Sequence, residues 1–332
     1  MRIIELFSGC GGLARGMADA GFEETALVEF NKDACASLRL NFDPAIVHEC
    51  DVRAFDYGPY AGLVDAVAGG PPCQPFSLGG RAAGQDDARD MFPEAARAIA
   101  ELRPRGFLFE NVKGLLRPGF AEYFRYIVRR LSLPSVARGP GESWREHSER
   151  LSRVDWDAHR GVKYRVEHRL VNAADYGVPQ VRERVIIVGI RSDVPRRWAW
   201  PAPTRARGGW KTVAEALAGV PEPSDSPPPD RPDNVLRRGA RPYPGHTGSD
   251  VNQPAKAIKA GVHGVPGGEN TLLFPDGRLR YMSVHEAKLI QTFPPDYRIA
   301  GSWSEALRQI GNAVPVELAA TMGRALLATI AP

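Results

Sequence analysis

The sequence predicts an α/β protein: a doubly wound, Rossmann-like sheet joined to a small, loop-rich second domain. Three observations lead there. An apolar stretch at residues 2 to 7 runs into the glycine-rich turn Ser8-Gly9-Cys10-Gly11-Gly12 and then a helix. A second apolar stretch, Ala26-Leu27-Val28, ends in Glu29, and a third, Val64-Asp65-Ala66-Val67-Ala68, ends in Gly69-Gly70-Pro71-Pro72-Cys73. Short apolar runs bounded by turn residues are the signature of strands buried on both faces, as in a parallel sheet covered by helices. A length of 332 residues suits one large domain with a smaller one.

Taken in order, the first turn satisfies G-x-G-x-x-G/A with Gly9, Gly11 and Ala14, in the strand-turn-helix context that the pattern requires. Glu29, about 20 residues on, stands where a carboxylate accepts hydrogen bonds from ribose hydroxyls. This pattern alone admits NAD, FAD or S-adenosylmethionine. Asn31 caps a helix to about Leu40, and Ile46-Val47-His48 is a brief strand before Asp51-Val52. An aspartate there either faces an adenine amino group or caps the next turn.

The Cys73 strand comes fourth. Three prolines lock φ near −65° around the cysteine and give its sulfur a defined position at a strand end, where ligands bind in open α/β sheets. A nucleophilic cysteine needs such placement. Residues 78 to 91 read as a mobile loop beside it, and Pro93 opens a helix through about Leu102. Gly106-Phe107-Leu108-Phe109 is a fifth strand that delivers Glu110-Asn111-Val112 to the same edge. Desolvation there is expected to raise the pKa of Glu110 and make it a proton donor. Residues 133 to 165 read as a polar, irregular insertion. In Gln180, Arg182 and Arg184 the period of two puts three polar side chains on one face of an extended segment, suited to a phosphate, a carboxylate or a base carbonyl.

From 195 to 280 Pro and Gly rise, and helical periodicity nearly vanishes except at Thr212 to Ala218, with Thr212 and Glu215 as a capping box. Arg205, Arg207, Lys211, Arg237, Arg238 and Arg241 are available to track phosphates. This stretch shows no core of its own. Capping boxes at Ser283/Glu286 and Ser302/Glu305 start two helices, and Gln309 to Pro315 reads as a loop into a last helix that should fold back onto the first domain. The expected division is 1–194, 195–280 and 281–332.

Composition narrows the classes. A net charge of +4 with pI near 8.9 permits a polyanionic partner without requiring one. Cysteines at 10, 35, 50 and 73 have neither Cys-x-x-Cys nor zinc-ligand spacing, so free thiols, no metal and a cytoplasmic location are expected. No apolar run is read as approaching about 18 residues, which argues against a membrane protein.

Together the motifs resemble the DNA (cytosine-5) methyltransferases over nearly the full length and in their order: Phe7-Ser8-Gly9-Cys10-Gly11-Gly12, Glu29, Asp51, Pro71-Pro72-Cys73-Gln74, Glu110-Asn111-Val112, Gln180 with Arg182 and Arg184, and Gln309 to Pro315. The resemblance implies an S-adenosylmethionine-dependent methyltransferase sheet, with a target-recognition domain at 195–280. It implies that Cys73 adds to carbon 6 of a flipped-out cytosine in duplex DNA, that Glu110 acts at ring nitrogen 3, that Arg184 holds the base carbonyl and that Arg182 supports the site. It assigns Phe7, Gly9 and Gly11 to S-adenosylmethionine, Glu29 to the ribose, Asp51 to the adenine and Asn312 to the methionine part. Ser8, Cys10, Gly12, Phe30, Val52, Pro72 and Ala313 complete the expected cofactor site. Cys10 is expected to tolerate substitution. A monomer is expected, and the sequence leaves open whether a separately acting cognate restriction endonuclease accompanies it. A transfer-RNA cytosine-5 methyltransferase would share this catalytic set, a nucleotide-dependent oxidoreductase only the glycine turn and Glu29, and a non-catalytic DNA-binding regulator would not need Cys73.

Overall fold

The structure, a computed structural model, describes residues 1–72, 90–242, 247–260 and 270–332. Its centre is a sheet of seven strands: β1 Arg2–Leu6, β2 Glu23–Glu29, β3 Val47–Glu49, β4 Ala66–Gly69, β5 Gly106–Val112, β6 Tyr164–Asn172 and β8 Glu183–Arg191, with the two-residue strand β7 Gln180–Val181 just outside it. Their spatial order is β3-β2-β1-β4-β5-β8-β6. The first five run parallel, and β8 runs against both of its neighbours.

Alternation along these strands fills two cores. Ile4, Leu6, Val67, Phe107, Phe109, Val185 and Ile187 face one side of the sheet, with Phe92, Ile99, Tyr123, Tyr126 and Trp144 from α3 Phe92–Leu102, α4 Ala121–Ser132 and α5 Trp144–Ser152. Ile3, Ala66, Ala68, Leu108, Ile186 and Val188 face the other, against α1 Gly12–Asp19 and α9 Val316–Ile330. With α2 Lys32–Arg39 following β2, this is the doubly wound α/β fold expected.

The last helix does fold back. A Cβ at Gly16 would lie 2.4 Å from Ala319 Cβ and 2.6 Å from the Val316 carbonyl, so only glycine lets α1 approach α9 this closely. The carbonyls at the end of α9 are capped by arginines: Arg105 Nε donates to Ile330 O at 2.6 Å and Arg196 Nη1 to Ala331 O at 2.6 Å.

Four expectations change. The insertion is not irregular, because Ser143 and Glu146 make a reciprocal capping box that starts α5. The stretch from Gln309 to Pro315 is not all loop: α8 Trp303–Asn312 runs through Asn312. The region 303–330 is long and apolar enough to span a membrane, contrary to the reading of no such run. Its apolar character serves the interior instead, since 67% of the qualifying window is buried and a break between α8 and α9 divides the segment. The second region also has a core. Val213 on the short helix α6 Val213–Ala216 clusters with Val251, Ala255, Ile258 and Leu272, and with Ile290 of α7 Val284–Ile290 and Leu307 and Ile310 of α8. That region thus builds its interior jointly with residues 282–310. The strands β9 Ser249–Asp250, β11 Thr271–Leu273 and β12 Leu279–Tyr281 form its small sheet, and β10 Ala255–Lys256 pairs with β7.

Candidate active site

The chain winds outward from β1 through β2 to β3, then restarts at β4 and continues to β5. Leu6 and Gly69 are register partners, so the crevice beyond β1 and β4 lies at the point where strand order reverses. Among the described residues, Glu29 at the end of β2 and Glu110 on β5 lie at this edge.

On one side is the turn after β1. Phe7, Gly9 and Gly11 all have positive φ, at 58°, 54° and 86°. For Phe7 that is a strained conformation, of the kind that concentrates at ligand sites. A Cβ at Gly9 would meet nothing within 4 Å, so the turn faces open space. Glu29 fixes the turn to β2. Its Oε2 accepts from Gly9 N–H at 2.8 Å, and Oε1 accepts from Phe30 and Asn31 N–H at 3.0 and 2.8 Å. A carboxylate has about four acceptor positions, so one remains for an incoming hydroxyl. Phe30, 74% exposed, stands beside it. Ser8 turns inward, its hydroxyl donating to Glu5 O at 3.1 Å.

Asp51 does what the alternative reading allowed. It caps a turn of 3-10 helix, accepting from Arg53 N–H at 2.9 Å, and pairs with the Arg53 guanidinium at 3.1 Å. Val52 is buried under it. Cys10 is fully buried among Phe293, Tyr297, Ala313 and Val316, and its carbonyl accepts the Tyr297 hydroxyl at 2.6 Å. The expectation that position 10 tolerates substitution thus concerns a side chain packed wholly inside the protein. Gly12 is pressed against the turn before α9: an added Cβ would be 2.3 Å from Val314 O. In that turn Ala313 is buried, and Asn312, the last residue of α8, is exposed.

On the other side are β4 and β5. Cys73 and residues up to 89 lie outside the described residues, but both flanks are placed. Asn111 Nδ2 donates to the Pro71 carbonyl at 2.9 Å, Met91 N–H donates to the Pro72 carbonyl at 3.3 Å, and the Tyr123 hydroxyl donates to the Asp90 carboxylate. Glu110 is not surrounded only by apolar strand residues, as the sequence led us to expect. Arg184, at the start of β8, places Nε 2.7 Å from Glu110 Oε1, and both side chains are largely buried. A planar guanidinium against a carboxylate fixes both rotamers. Arg182 lies deeper, its guanidinium on main-chain carbonyls of the residues 258, 311 and 313. Burial, reinforced by Arg184, pushes its pKa well below the usual arginine range.

The sequence matches the family model described as C-5 cytosine-specific DNA methylase over residues 1–133, 152–226 and 232–328. The chain belongs to this family. It is a DNA cytosine-5 methyltransferase. It is 32% identical to the type II methyltransferase M.NgoMIV of Neisseria gonorrhoeae over 98% of this chain and 96% of that one. It is likewise 32% identical to the type II methyltransferase M.AplI of Arthrospira platensis, over 99% and 86%. A solved structure of a DNA modification methyltransferase encoded within an E. coli prophage superposes with a TM-score of 0.71 over 100% of both chains, at 21% identity, a likeness of fold.

Several residues that organise the methyltransferase site left no signal in its sequence. Gln291 is completely buried, donating to Ile310 O at 2.9 Å and Ala313 O at 2.8 Å. Tyr297 holds the glycine turn through Cys10. Neither shows a period or motif of its own, since a buried polar side chain is defined by distant partners. Some of the basic residues of the second region are already engaged: Arg238 pairs bidentately with Asp225 at 2.7 and 2.6 Å, and Arg237 lies over the Trp303 ring.

Among the described residues, the thiols near this edge, Cys10, Cys35 and Cys50, are held in the unreactive thiol form. Burial pushes Cys10 and Cys35 up to about 12 and raises Cys50. Thiolate, not thiol, is the reactive species. Iodoacetamide at pH 8 is therefore expected to modify Cys10 and Cys35 only after denaturation, as read by peptide mass spectrometry. Labelling of Cys10 in the native enzyme would contradict its burial.

Proposed function

We propose that this methyltransferase moves the methyl group of S-adenosylmethionine to carbon 5 of a cytosine flipped out of duplex DNA, through a transient bond between Cys73 and carbon 6 of the base. The observation that carries this reading is the Arg184–Glu110 pair at 2.7 Å, at the same sheet edge as the Pro71 carbonyl held by Asn111, two residues before Cys73.

The residues facing the crevice fit the methyl donor. The open left-handed turn at Gly9 lets a ligand approach the backbone, the free acceptor position on Glu29 suits a ribose hydroxyl, and exposed Phe30 offers a ring face to a purine. Phe7, Ser8 and Gly11 would border the same group, with Gly12, Cys10, Val52 and Ala313 shaping its walls from behind, Asp51 and Pro72 at its rims and Asn312 at the methionine end. When bound, it supplies an electrophilic methyl. Everything else falls to the chain.

Carbon 5 of cytosine is a poor nucleophile. The Cys73 thiolate adds to carbon 6, and electron density moves to carbon 5 while Glu110 supplies a proton or hydrogen bond at ring nitrogen 3. Arg184 holds the carboxyl group of Glu110 and donates to the base carbonyl oxygen. After carbon 5 has gained the methyl, loss of its proton to a base re-forms the double bond and expels the cysteine as thiolate, and ring nitrogen 3 returns to Glu110 any proton it received. Arg182 supports the strand from below. Residues 195–280, built onto 281–332, form the target-recognition region beside the catalytic region 1–194, and flipping brings the base to the edge.

Incubation with labelled methyl donor and either duplex DNA or total tRNA tests the reading. Label is expected in 5-methylcytosine of DNA. Label confined to tRNA would overturn it.

A further inference from the structure

Beneath the catalytic edge lies a buried polar hub. Gln180, Arg182 and Gln291 are 0%, 2% and 0% exposed. Arg182 Nη1 donates to Ile258 O at 3.1 Å and to Gln180 Oε1 at 3.4 Å, and Nη2 donates to Gly311 O at 2.7 Å and Ala313 O at 3.1 Å. Gln180 Nε2 donates to Gln291 Oε1 at 2.6 Å, while its own Oε1 accepts from Ile258 N–H at 3.1 Å. None of the hydrogen bonds of Arg182 among the described residues goes to a carboxylate. A buried cation held by carbonyls alone is costly unless those carbonyls must be gathered at one point.

The carbonyls come from two separate parts of the chain. Ile258 belongs to the recognition region, whose backbone lies directly on the end of α8: a Cβ at Gly311 would be 2.6 Å from Lys259 C and Ala260 N. Asn270 pins the same segment, accepting from Lys259 N–H at 3.2 Å and donating to Lys259 O at 3.1 Å. Gly311 and Ala313 flank Asn312. Arg182 itself stands two residues before Arg184 and is joined to the recognition region a second time, because Gln180 of β7 pairs with Ala255 of β10.

We propose that Arg182 is a positioning residue rather than a substrate contact: its guanidinium is the joint that sets the recognition segment at Ile258 and the turn at Asn312 against the strand carrying Arg184. This rests on the assignment of Arg184 and Asn312 to the active site. Lysine cannot serve the joint, since an ammonium lacks the planar fork that spans several carbonyls. The joint makes placement of DNA and of the methyl donor depend on the same few hydrogen bonds.

The test compares Arg182→Lys, Gly311→Ala and the double variant with wild type, with thermal melts to verify folding. Gly311→Ala wedges the recognition segment off α8 and leaves the Arg182 side chain in place, disturbing the joint only through the Gly311 main chain that accepts from it. Losing charge-assisted hydrogen bonds is expected to raise KM for duplex DNA about 10-fold in each single variant. Because both act on one joint, the double variant should be little worse than the poorer single. Independent, multiplicative losses, or a KM for DNA within about twofold of wild type in Gly311→Ala, overturn the joint. Calorimetric titration of S-adenosylhomocysteine into the same four proteins needs no turnover and should show the same non-additive weakening; additivity there also overturns it. Wild type that binds S-adenosylhomocysteine but methylates no DNA would instead overturn the functional reading.

Discussion

Cys73→Ala is expected to abolish methyl transfer and to leave DNA binding in place. The rate should fall by about four orders of magnitude or more, as when the nucleophile of an enzyme that works by covalent catalysis is removed. The flanking structure has no reason to change, since Asn111 holds the Pro71 main-chain carbonyl and Met91 the Pro72 carbonyl, and neither bond involves the thiol. Initial rates with labelled methyl donor and mobility shifts on the same DNA measure the two quantities separately. Activity within about tenfold of wild type would remove covalent catalysis from the mechanism, because effective nucleophilic assistance is worth far more than that.

The second large effect is at Glu110. In Glu110→Gln the amide keeps the shape but cannot deliver a proton to ring nitrogen 3, and a general-acid contribution of about 10²- to 10⁴-fold in kcat should disappear. Glu110→Ala does more harm. It leaves the Arg184 guanidinium largely buried without its carboxylate, and breaking such a pair from one side costs about 3–5 kcal/mol. Rapid-quench turnover with Glu110→Gln, and chemical denaturation of Glu110→Ala, measure the two losses. A Gln variant that turns over like wild type would exclude proton donation by this residue.

These two residues also mark how far the sequence could be read. The five parallel strands were legible because burial on both faces makes short apolar runs, and the edge they share follows from that alone. Glu110 could be assigned to the edge but not to its partner, because Arg184 reaches it only after the chain has made α4, α5, β6 and β7. The period of two groups Gln180, Arg182 and Arg184, yet it carries no information on depth. Arg184 meets a carboxylate at the edge, while Arg182 is buried among carbonyls from residues 258, 311 and 313. Helix α5 was missed although Trp144, His147 and Leu151 are spaced for one face, because charged residues dominate the stretch around its capping box. The interior of the second region was invisible for a different reason. Its apolar residues lie singly, from Val213 to Ile310, and become a cluster only when those segments meet.

The return of α9 onto α1 has a consequence for synthesis. Ile3, Ala66, Leu108 and Ile186 present an apolar sheet face that Leu318, Met322, Leu326 and Ile330 cover. On the ribosome that face is made early and its cover late. At a translation rate of about 5–20 residues per second, β5 precedes the completed α9 by roughly 10 to 40 s. During that interval the nascent sheet displays a sticky surface and two glycines, Gly12 and Gly16, with nothing against them. Closure of this core waits for α9 to be made.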